Sequence, residues 1–212
     1  MKITLIYDNE VYKEGLKADW GFSCLVEAEN TPRILFDTGT NGKILLSNMG
    51  KLSIDPASID EVFISHAHFD HVGGLSDFLR ADETAKIYVP PSFPGPAGRE
   101  VITIKGPTNI HESVFSTGEL NRIEQSLAVK TEKGIVVIAG CSHPGVGSIL
   151  RAASQFGKIY ALIGGLHGFN EFNLVKDLDL ICPAHCTQHK AELKSLYPKK
   201  YADGGAGKII ML

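Results

Sequence analysis

The stretch His66-Ala67-His68-Phe69-Asp70-His71 places three imidazoles and one carboxylate side by side, directly after the apolar run Val62-Phe63-Ile64. Alternate side chains of an extended segment point the same way, so the first and second histidines are predicted to project toward one ion. The aspartate and the third histidine fall on the turn that leaves the strand, where they can serve a second ion. Imidazole and carboxylate are ligands of zinc, iron and manganese sites that keep an open position. The stretch therefore predicts a centre for one or two divalent metal ions.

The chain has 212 residues and an ordinary composition, with 43% hydrophobic and 21% charged residues. Length and composition predict a single domain, residues 1–212, that is large enough to bury a full core. The formal net charge of -3 gives no general attraction to nucleic acid or to an anionic membrane surface. We therefore expect a small-molecule substrate, with no nucleic acid and no membrane as partner. The sequence does not specify an oligomeric state.

The N-terminus and the cysteines both bear on the location of the protein. The first residues reach Asp8 too early for a signal peptide, and no apolar stretch approaches transmembrane length. The four cysteines, Cys24, Cys141, Cys182 and Cys186, show no C-x-x-C spacing and are expected to be reduced thiols. These features predict a cytoplasmic protein.

Apolar periodicity predicts an α/β fold. Strands are expected at residues 3–7, 22–26, 33–36, 61–65, 86–89, 113–115, 126–131, 134–138, 160–163, 178–181 and 208–212, and helices at 41–49, 73–79, 145–156 and 188–196. Residues 90–107 are rich in proline and glycine and predict a loop, with a lid favoured over a linker. Each half of the chain supplies strands and then strand–helix units. That order predicts two mixed sheets packed face to face, with helices outside.

Three further histidines, His143, His167 and His185, each follow the C-terminal end of a predicted strand. In sheets flanked by helices, ligand sites gather at that edge, because the strands hold fixed positions while the loops present side chains. One histidine in such a place is usually structural. Three of them, in a chain that already carries the cluster at 66–71, indicate a common site. His111 and His189 have no such placement and are interpreted as structural or surface residues.

These motifs together resemble the metallo-β-lactamase superfamily. The similarity is closer to the branch of metal-dependent hydrolases that includes the dihydropteroate-synthase-like archaeal proteins of methanopterin synthesis. It rests on Asp8-Asn9, Trp20-Gly21-Phe22-Ser23, Leu35-Phe36-Asp37-Thr38-Gly39, the run from Ser65 to Leu75, Gly140-Cys141-Ser142-His143, Gly164-Gly165-Leu166-His167 and Pro183-Ala184-His185-Cys186-Thr187. The resemblance covers nearly the whole chain. It implies the αβ/βα four-layer sandwich, with a one- or two-metal site at the sheet edges.

The resemblance also implies how the ligands divide between two metal ions. The first ion would be held by His66, His68 and His143, and the second by Asp70, His71 and His185. Asp37 resembles the acid of the first family motif, which implies that it supports a ligand by hydrogen bonding instead of binding metal itself.

One part of the family pattern is missing. Many relatives add an aspartate that bridges both ions, in a Gly-Asp pair after the strand that follows the third metal-binding histidine. This chain has Gly164-Gly165 there, with His167 two residues further on. We therefore expect no bridging acid, which leaves open whether the second metal site is filled. Three roles are open for His167, namely ligation in place of the acid, substrate contact and proton donation, and the last two are favoured.

The ligand set predicts hydrolytic chemistry. A metal held by neutral imidazoles keeps a positive charge and an open position, and it lowers the pKa of bound water to about 7. The prediction is a metal-dependent hydrolase whose metal-bound hydroxide attacks an ester, phosphoester or related small-molecule bond. Asp70 would orient the water. Zinc is the first choice of metal, with iron or manganese as alternatives.

Two other functions stay open at this point. A pterin-type transferase resembling the methanopterin-pathway enzymes would need a pocket for a flat heterocycle and a phosphate, and Arg99 and Lys105 in residues 90–107 could bind the phosphate. A non-catalytic metal-binding or sensor protein is the other. Diiron relatives place a carboxylate where His68 stands, so His68 favours hydrolysis. A nuclease of the superfamily would need a large inserted domain or a basic arm, and neither is present at this length and charge.

Overall fold

The computed structural model describes residues 1–212 and contains thirteen β-strands and five α-helices. The strands are β1 Lys2–Tyr7, β2 Ser23–Glu27, β3 Ile34–Phe36, β4 Glu61–Phe63, β5 Lys86–Val89, β6 Val101–Thr103, β7 Thr108–His111, β8 Val114–Ser116, β9 Leu127–Thr131, β10 Gly134–Ala139, β11 Ile159–Gly165, β12 Leu180–Ala184 and β13 Ile209–Met211. The helices are α1 Gly42–Lys51, α2 Phe69–Val72, α3 Leu75–Ala81, α4 Val146–Ala153 and α5 Lys190–Leu196. Short 3-10 turns occur at Pro56–Ser58, Ser154–Phe156 and Phe172–Val175.

The strands form two mixed sheets. The first has the order β13-β1-β2-β3-β4-β5-β6 and the second has the order β12-β11-β10-β9-β8-β7. Strands β3 to β6 run parallel, as do β10 to β12, and the other neighbours are antiparallel. Because parallel strands of one sheet end at the same edge, the segments after β10, β11 and β12 leave the second sheet together. The segments after β3 and β4 leave the first sheet together in the same way.

Apolar side chains fill three layers between these elements. The faces of the two sheets that meet each other form the central core, which includes Leu5, Phe36, Phe63, Val136 and Ile163. The outer face of the first sheet is covered by α1 and α3, and that of the second sheet by α4 and α5. Strand β10 is buried on both faces, which explains its continuous apolar run Ile135-Val136-Val137-Ile138. The result is the four-layer α/β sandwich that the sequence predicts.

Helix α1 shows how the outer layers are built. Its first turn is capped by Asn41, whose Oδ1 accepts hydrogen bonds from the backbone N–H groups of Lys43 and Ile44. Leu45 and Met49 lie one turn apart and are fully buried against the first sheet. None of the helices has the length and apolar character needed to cross a membrane.

The segment 90–107 differs from the prediction of a single loop. Residues Val101–Thr103 are strand β6 and pair with β5 at the edge of the first sheet. The guanidinium of Arg99 donates to the backbone carbonyls of Leu79, Asp82 and Ala85. Arg99 therefore fastens this segment to the end of α3 and to the residue before β5, and its guanidinium is engaged with backbone carbonyls. Strand β7, which the sequence pattern did not predict, forms the edge of the second sheet.

Candidate metal centre

Three histidines from both sheets form the first group of metal donors. His66 follows β4, His68 precedes α2, and His143 follows β10. Their ligand nitrogens all lie within 4.8 Å of one another. Nε2 of His143 is 3.1 Å from Nδ1 of His68. The centroid of the His66 ring lies 4.6 Å from that of His68 and 4.8 Å from that of His143. We call His66, His68 and His143 the first donor set.

The orientation of His66 is fixed by its neighbours. The Ser65 hydroxyl donates its proton to Asp37 Oδ2 at 2.6 Å, so the Ser65 oxygen accepts the Nδ1 proton of His66 at 2.9 Å. Nε2 of His66 is then an unprotonated acceptor, and it is buried without a hydrogen-bond partner. An unsatisfied buried acceptor costs about 1–3 kcal/mol. A metal ion at the first donor set would satisfy this nitrogen, so the residues present fit the metal that the family pattern implies.

The second group of donors lies beside the first. It consists of Asp70 and His71 on α2, Cys141 after β10 and His185 after β12, whose donor atoms also lie within 4.8 Å of one another. Asp70 Oδ2 is 3.1 Å from Nε2 of His185 and 3.8 Å from Nε2 of His71. Nε2 of His71 is 3.1 Å from the Cys141 sulfur. We call these four residues the second donor set.

Hydrogen bonds on the far side of each ring set the protonation of the second donor set. His71 Nδ1 donates to Asp37 Oδ2 at 2.7 Å, and His185 Nδ1 donates to Asn9 Oδ1 at 2.9 Å. The orientation of the Asn9 amide is fixed, because its nitrogen donates to the His185 carbonyl and its oxygen accepts from Gly21 N–H. Both Nε2 atoms therefore present lone pairs to the Asp70 carboxylate. These neighbouring acceptor atoms repel one another, and a cation bound by all of them would remove the repulsion.

Burial dominates the electrostatics of both donor sets. Burial and the neighbouring imidazoles lower the pKa of His143 to about 4, and they hold the pKa of His66 and of His71 far below the usual range. Burial raises the pKa of Asp70, but a hydrogen bond from His185, which that ring donates only when it carries a second proton at Nε2, and the charge of the nearby imidazoles outweigh burial and hold the pKa of Asp70 below its usual range. These shifts favour neutral imidazoles and an ionised carboxylate, which are the forms that bind metal.

Asp37 connects the two donor sets. Its Oδ1 accepts from Ser65 N–H at 2.7 Å, while Oδ2 accepts from the Ser65 hydroxyl and from His71. Burial raises the pKa of Asp37, and the hydrogen bonds from Ser65 oppose that rise. The side chain touches no open space and is completely buried. Asp37 lies directly behind the His71 ring and, through Ser65, behind the His66 ring.

Glu124 is a buried residue that sequence reasoning missed. Its Oε1 accepts the backbone N–H groups of Gly140, Cys141 and Ser142, each at 3.0 Å, and its Oε2 accepts that of His143 at 2.8 Å. Burial raises the pKa of Glu124 to about 7, against the effect of these hydrogen bonds. One carboxylate thus shapes the segment that carries a donor of each set. No sequence motif surrounds Glu124, so only the fold reveals it.

The loops that carry the site adopt uncommon backbone conformations. Asp37, Ser142, His167 and His185 have positive φ angles of 53°, 63°, 45° and 49°. Non-glycine residues pay for this conformation, and they keep it where the surroundings impose it. The Ser142 hydroxyl donates to the Gly165 carbonyl at 2.7 Å, and the His185 N–H donates to the Asp8 carboxylate at 3.1 Å. Four of the eight non-glycine residues with a positive φ angle therefore lie at the edge that carries the donors.

His167 lies beside the first donor set but outside it. Its ring is 4.5 Å from that of His143, while its Nδ1 contacts the Cys141 carbonyl at 3.0 Å and the Cys186 sulfur at 3.1 Å. The Nδ1 proton is thus directed at Cys141 and Cys186, away from the donors of the first set. The arrangement does not group His167 with Asp70, His71 and His185.

The remaining two histidines lie away from the donors, and Trp20 forms the rim of the site. His111 contacts the Glu61 carboxylate at 2.8 Å, and His189 contacts the Glu192 carboxylate at 3.0 Å. Trp20 is exposed above the second donor set, with Nε1 donating to Asp70 Oδ2 at 3.0 Å and its ring 5.1 Å from that of His185.

Comparison with known proteins gives the family. The model of the metallo-beta-lactamase superfamily matches residues 21–152, a range that includes both donor-bearing segments after β4 and β10. The chain belongs to the metallo-β-lactamase superfamily. The resemblance predicted from the sequence is therefore confirmed, as is the predicted fold class.

Several relatives of this superfamily member are similar over nearly their full length. A 7,8-dihydropterin-6-methyl-4-(beta-D-ribofuranosyl)-aminobenzene-5'-phosphate synthase of Methanocaldococcus jannaschii is 30% identical, over 98% of this chain and 95% of the relative. A metal-dependent hydrolase of the beta-lactamase superfamily superimposes with a TM-score of 0.79 at 24% identity, covering 100% of this chain and 99% of the other. The metallo-beta-lactamase fold protein YhfI from Bacillus subtilis gives 0.71 at 15% identity, covering 99% of each. The two structural likenesses show the fold.

The structure gathers every residue that the sequence nominated as a metal ligand. These are His66, His68, Asp70, His71, His143 and His185, which come from segments after three different strands. It adds Cys141, which was expected from the sequence to be a reduced thiol and not a ligand. The available signal was its position two residues before His143. Clusters of this composition could hold divalent metal ions.

Proposed function

We propose that this chain is a metal-dependent hydrolase that cleaves an ester, phosphoester or related bond of a small molecule. The observation that carries the proposal is the first donor set, in which three imidazoles converge and the buried Nε2 of His66 has no other partner. His68 is exposed to solvent, so the donor set has an accessible side. Membership of a superfamily that includes hydrolases supports the same chemistry.

The bound metal, for which zinc is proposed ahead of iron or manganese, would supply a Lewis acid that polarises the scissile group and acidifies a water molecule. His66, His68 and His143 would hold one ion, while Asp70, His71 and His185 would contribute to a second. The neutral charge of the three imidazoles leaves the positive charge of the first ion uncompensated. Asp37 keeps Nε2 of one histidine in each set in its acceptor form, that of His66 through Ser65 and that of His71 directly.

Two side chains near the donors are proposed to act on the substrate side. Asp70 is partly accessible and ionised, so its carboxylate can accept a hydrogen bond from the attacking water. His167 directs its Nδ1 proton to Cys141 and Cys186, which leaves Nε2 to exchange a proton with the leaving group. Asp70 and His167 lie at the same edge of the sandwich as the donors, and this position supports both assignments.

The test is the variant His68→Ala, purified and analysed for metal content and for turnover of ester, phosphoester and lactam substrates. We expect both metal content and turnover to fall together, because two imidazoles do not hold the first ion. His189→Ala is the matched control, since His189 is paired with Glu192 away from the donors. Full activity in metal-stripped His68→Ala would refute the proposal. A wild-type protein that holds metal without turning over any substrate class would favour a metal-binding sensor.

A pterin-type transferase is the second candidate, and the 30% identity to the synthase of M. jannaschii favours it. The alignment with that enzyme extends over 281 positions, whereas this chain has 212 residues, so the synthase carries segments that have no counterpart here. Arg99 is also held by backbone carbonyls instead of being free for a phosphate. Both observations favour hydrolysis. Formation of the product named for that synthase by the purified chain would reverse the preference.

A further inference from the structure

We propose that the thiolate of Cys141 is a ligand of the second metal ion, in place of the bridging aspartate that this chain lacks. The second ion would then have one carboxylate, one thiolate and two imidazoles, from Asp70, Cys141, His71 and His185. This inference rests on the proposed metal centre but concerns a residue and a donor type that the hydrolase proposal does not require. Its chemical consequence is a soft, zinc-selective second site.

The position of the sulfur carries the first step of the argument. The Cys141 side chain is buried, and its Sγ lies 3.1 Å from Nε2 of His71, in one cluster with Asp70 and His185. All four donor atoms are within 4.8 Å of one another. Four protein donors at this spacing satisfy the coordination number of zinc without further ligands.

The backbone around Cys141 is held from two directions. Its N–H is bound by Glu124 Oε1 at 3.0 Å, and its carbonyl is bound by His167 Nδ1 at 3.0 Å. A ligand that is fixed at both peptide groups loses little conformational freedom when it binds an ion. The hydrogen bonds of Glu124 and His167 thus both hold the Cys141 sulfur in the place where it would bind the second ion.

The place of the usual bridging acid is closed to any side chain. A Cβ on Gly164 would lie 1.9 Å from the Ala139 carbonyl oxygen, and a Cβ on Gly165 would lie 2.3 Å from the Gly140 carbonyl oxygen. A Cβ on Gly165 would also lie 2.8 Å from the Cys186 sulfur. The close packing of β11 against the segment after β10 thus excludes an aspartate. That same segment is the one that delivers Cys141.

Cys186 is placed to support the thiolate without binding the ion. Its Sγ is 3.4 Å from that of Cys141 and 3.1 Å from Nδ1 of His167, and it does not belong to the second donor set. The Cys186 thiol donates to the Cys141 sulfur. When a divalent ion binds, Cys141 releases its thiol proton to solvent and the sulfur lone pair forms the bond to the ion. No oxidant or reductant is involved.

The charges of the two sites follow from this assignment. The Asp70 carboxylate and the Cys141 thiolate together neutralise a divalent ion at the second donor set. The three imidazoles leave the charge of an ion at the first donor set intact. The second ion is therefore the more firmly held, and the first is the stronger Lewis acid.

The experiment uses cobalt(II), because a thiolate ligand gives it a charge-transfer band in the near ultraviolet. We expect two cobalt ions per wild-type chain, with the band present. Cys141→Ser should lose the band and bind the second ion at least about tenfold more weakly, while it keeps the first ion. Retention of the first ion reports that the fold is intact. Cys186→Ser and the core variant Cys182→Ala should keep the band.

Three outcomes would overturn the inference. They are a band that survives in Cys141→Ser, a band that is lost only in Cys186→Ser, and a wild-type chain that holds two cobalt ions without any band. A single ion that depends on His68, with no band, would refute the thiolate and leave the proposed hydrolase standing. A wild-type chain that binds no cobalt at all would refute the metal centre itself.

Discussion

The two donor sets are adjacent and share the segment 140–143, yet they differ in burial and in charge. The first set is three imidazoles with the exposed His68 at its front. In the second set, His71, Cys141 and His185 are buried, and the Asp70 carboxylate is half-buried beside Trp20. On the proposed assignment, an ion at the first set would keep its charge and an accessible face, whereas an ion at the second set would be enclosed by its ligands. The first set would then be the reactive position and the second the anchoring one.

Asp37→Asn should give the largest effect and should act unequally on the two sets. With its oxygen toward Ser65 N–H, the new amide nitrogen would face His71 Nδ1 and force the proton onto Nε2, where it blocks the second set. Loss of such a supporting hydrogen bond typically weakens metal binding by about 10- to 100-fold. We expect this loss at the second ion and a smaller one at the first, measured by competition with a chromogenic chelator.

The matched control for Asp37→Asn is Asp82→Asn. Asp82 is also a buried aspartate, but it accepts hydrogen bonds from Thr84 in a turn away from the donors. This variant should bind both ions like the wild type. Equal weakening of both ions in Asp37→Asn would contradict the distinction between the sets, because it would mean that Ser65 transmits as much as His71 does.

The fold was predictable because its signals are local. A buried strand is visible in the sequence as an apolar run, such as Ile135 to Ile138. The histidines that follow β10, β11 and β12 mark the edge of the sheet where ligand sites gather. Strand β6 was not predictable, because three residues within a stretch rich in proline and glycine carry no period. Its pairing with β5 is a tertiary effect.

The site was predictable where one segment carries several donors and unpredictable where donors meet across the fold. His66, His68, Asp70 and His71 stand in one motif. Cys141 and Cys186 are 45 residues apart and meet only because β10, β11 and β12 lie parallel. Spacing rules for cysteine pairs compare neighbours in sequence, so they miss such a contact.

Glu124→Gln tests the feature that both donor sets share. A glutamine keeps one oxygen for three of the four N–H groups, but its amide nitrogen then faces the N–H of His143. Leaving a buried donor unpaired costs about 1–3 kcal/mol. We expect that loss in the free energy of unfolding, measured by urea denaturation of the metal-free protein, together with weaker binding of both ions.

Glu61→Gln separates stability from metal binding. Glu61 is a buried glutamate that pairs with His111 and Tyr88, away from both donor sets. It should lower the free energy of unfolding to a similar extent and leave both metal affinities unchanged. If Glu124→Gln also left both affinities unchanged, the carboxylate would be a structural support that does not position His143 or Cys141.

Trp20→Phe should give the smallest effect and should be confined to the second ion. The variant keeps an aromatic ring beside His185 but removes the Nε1 hydrogen bond to Asp70. A hydrogen bond of this kind contributes about 1 kcal/mol, so the second ion should bind about fivefold more weakly. Tyr12→Phe is the control, because Tyr12 is another exposed aromatic residue and its contacts are with Ala206 and Lys208.

Because Trp20 is the single tryptophan of the chain, its fluorescence reports the second donor set directly. In the wild type, an ion that binds beside His185 and Asp70 should change this emission, whereas an ion held by His66, His68 and His143 should leave it nearly constant. A zinc titration followed by fluorescence and by total bound metal would therefore give the order of filling. If the emission change is complete after the first equivalent of zinc, the second donor set fills before the first. That order would support the anionic second set as the tighter site. The reverse order would show that the charge of Asp70 and Cys141 does not outweigh their desolvation.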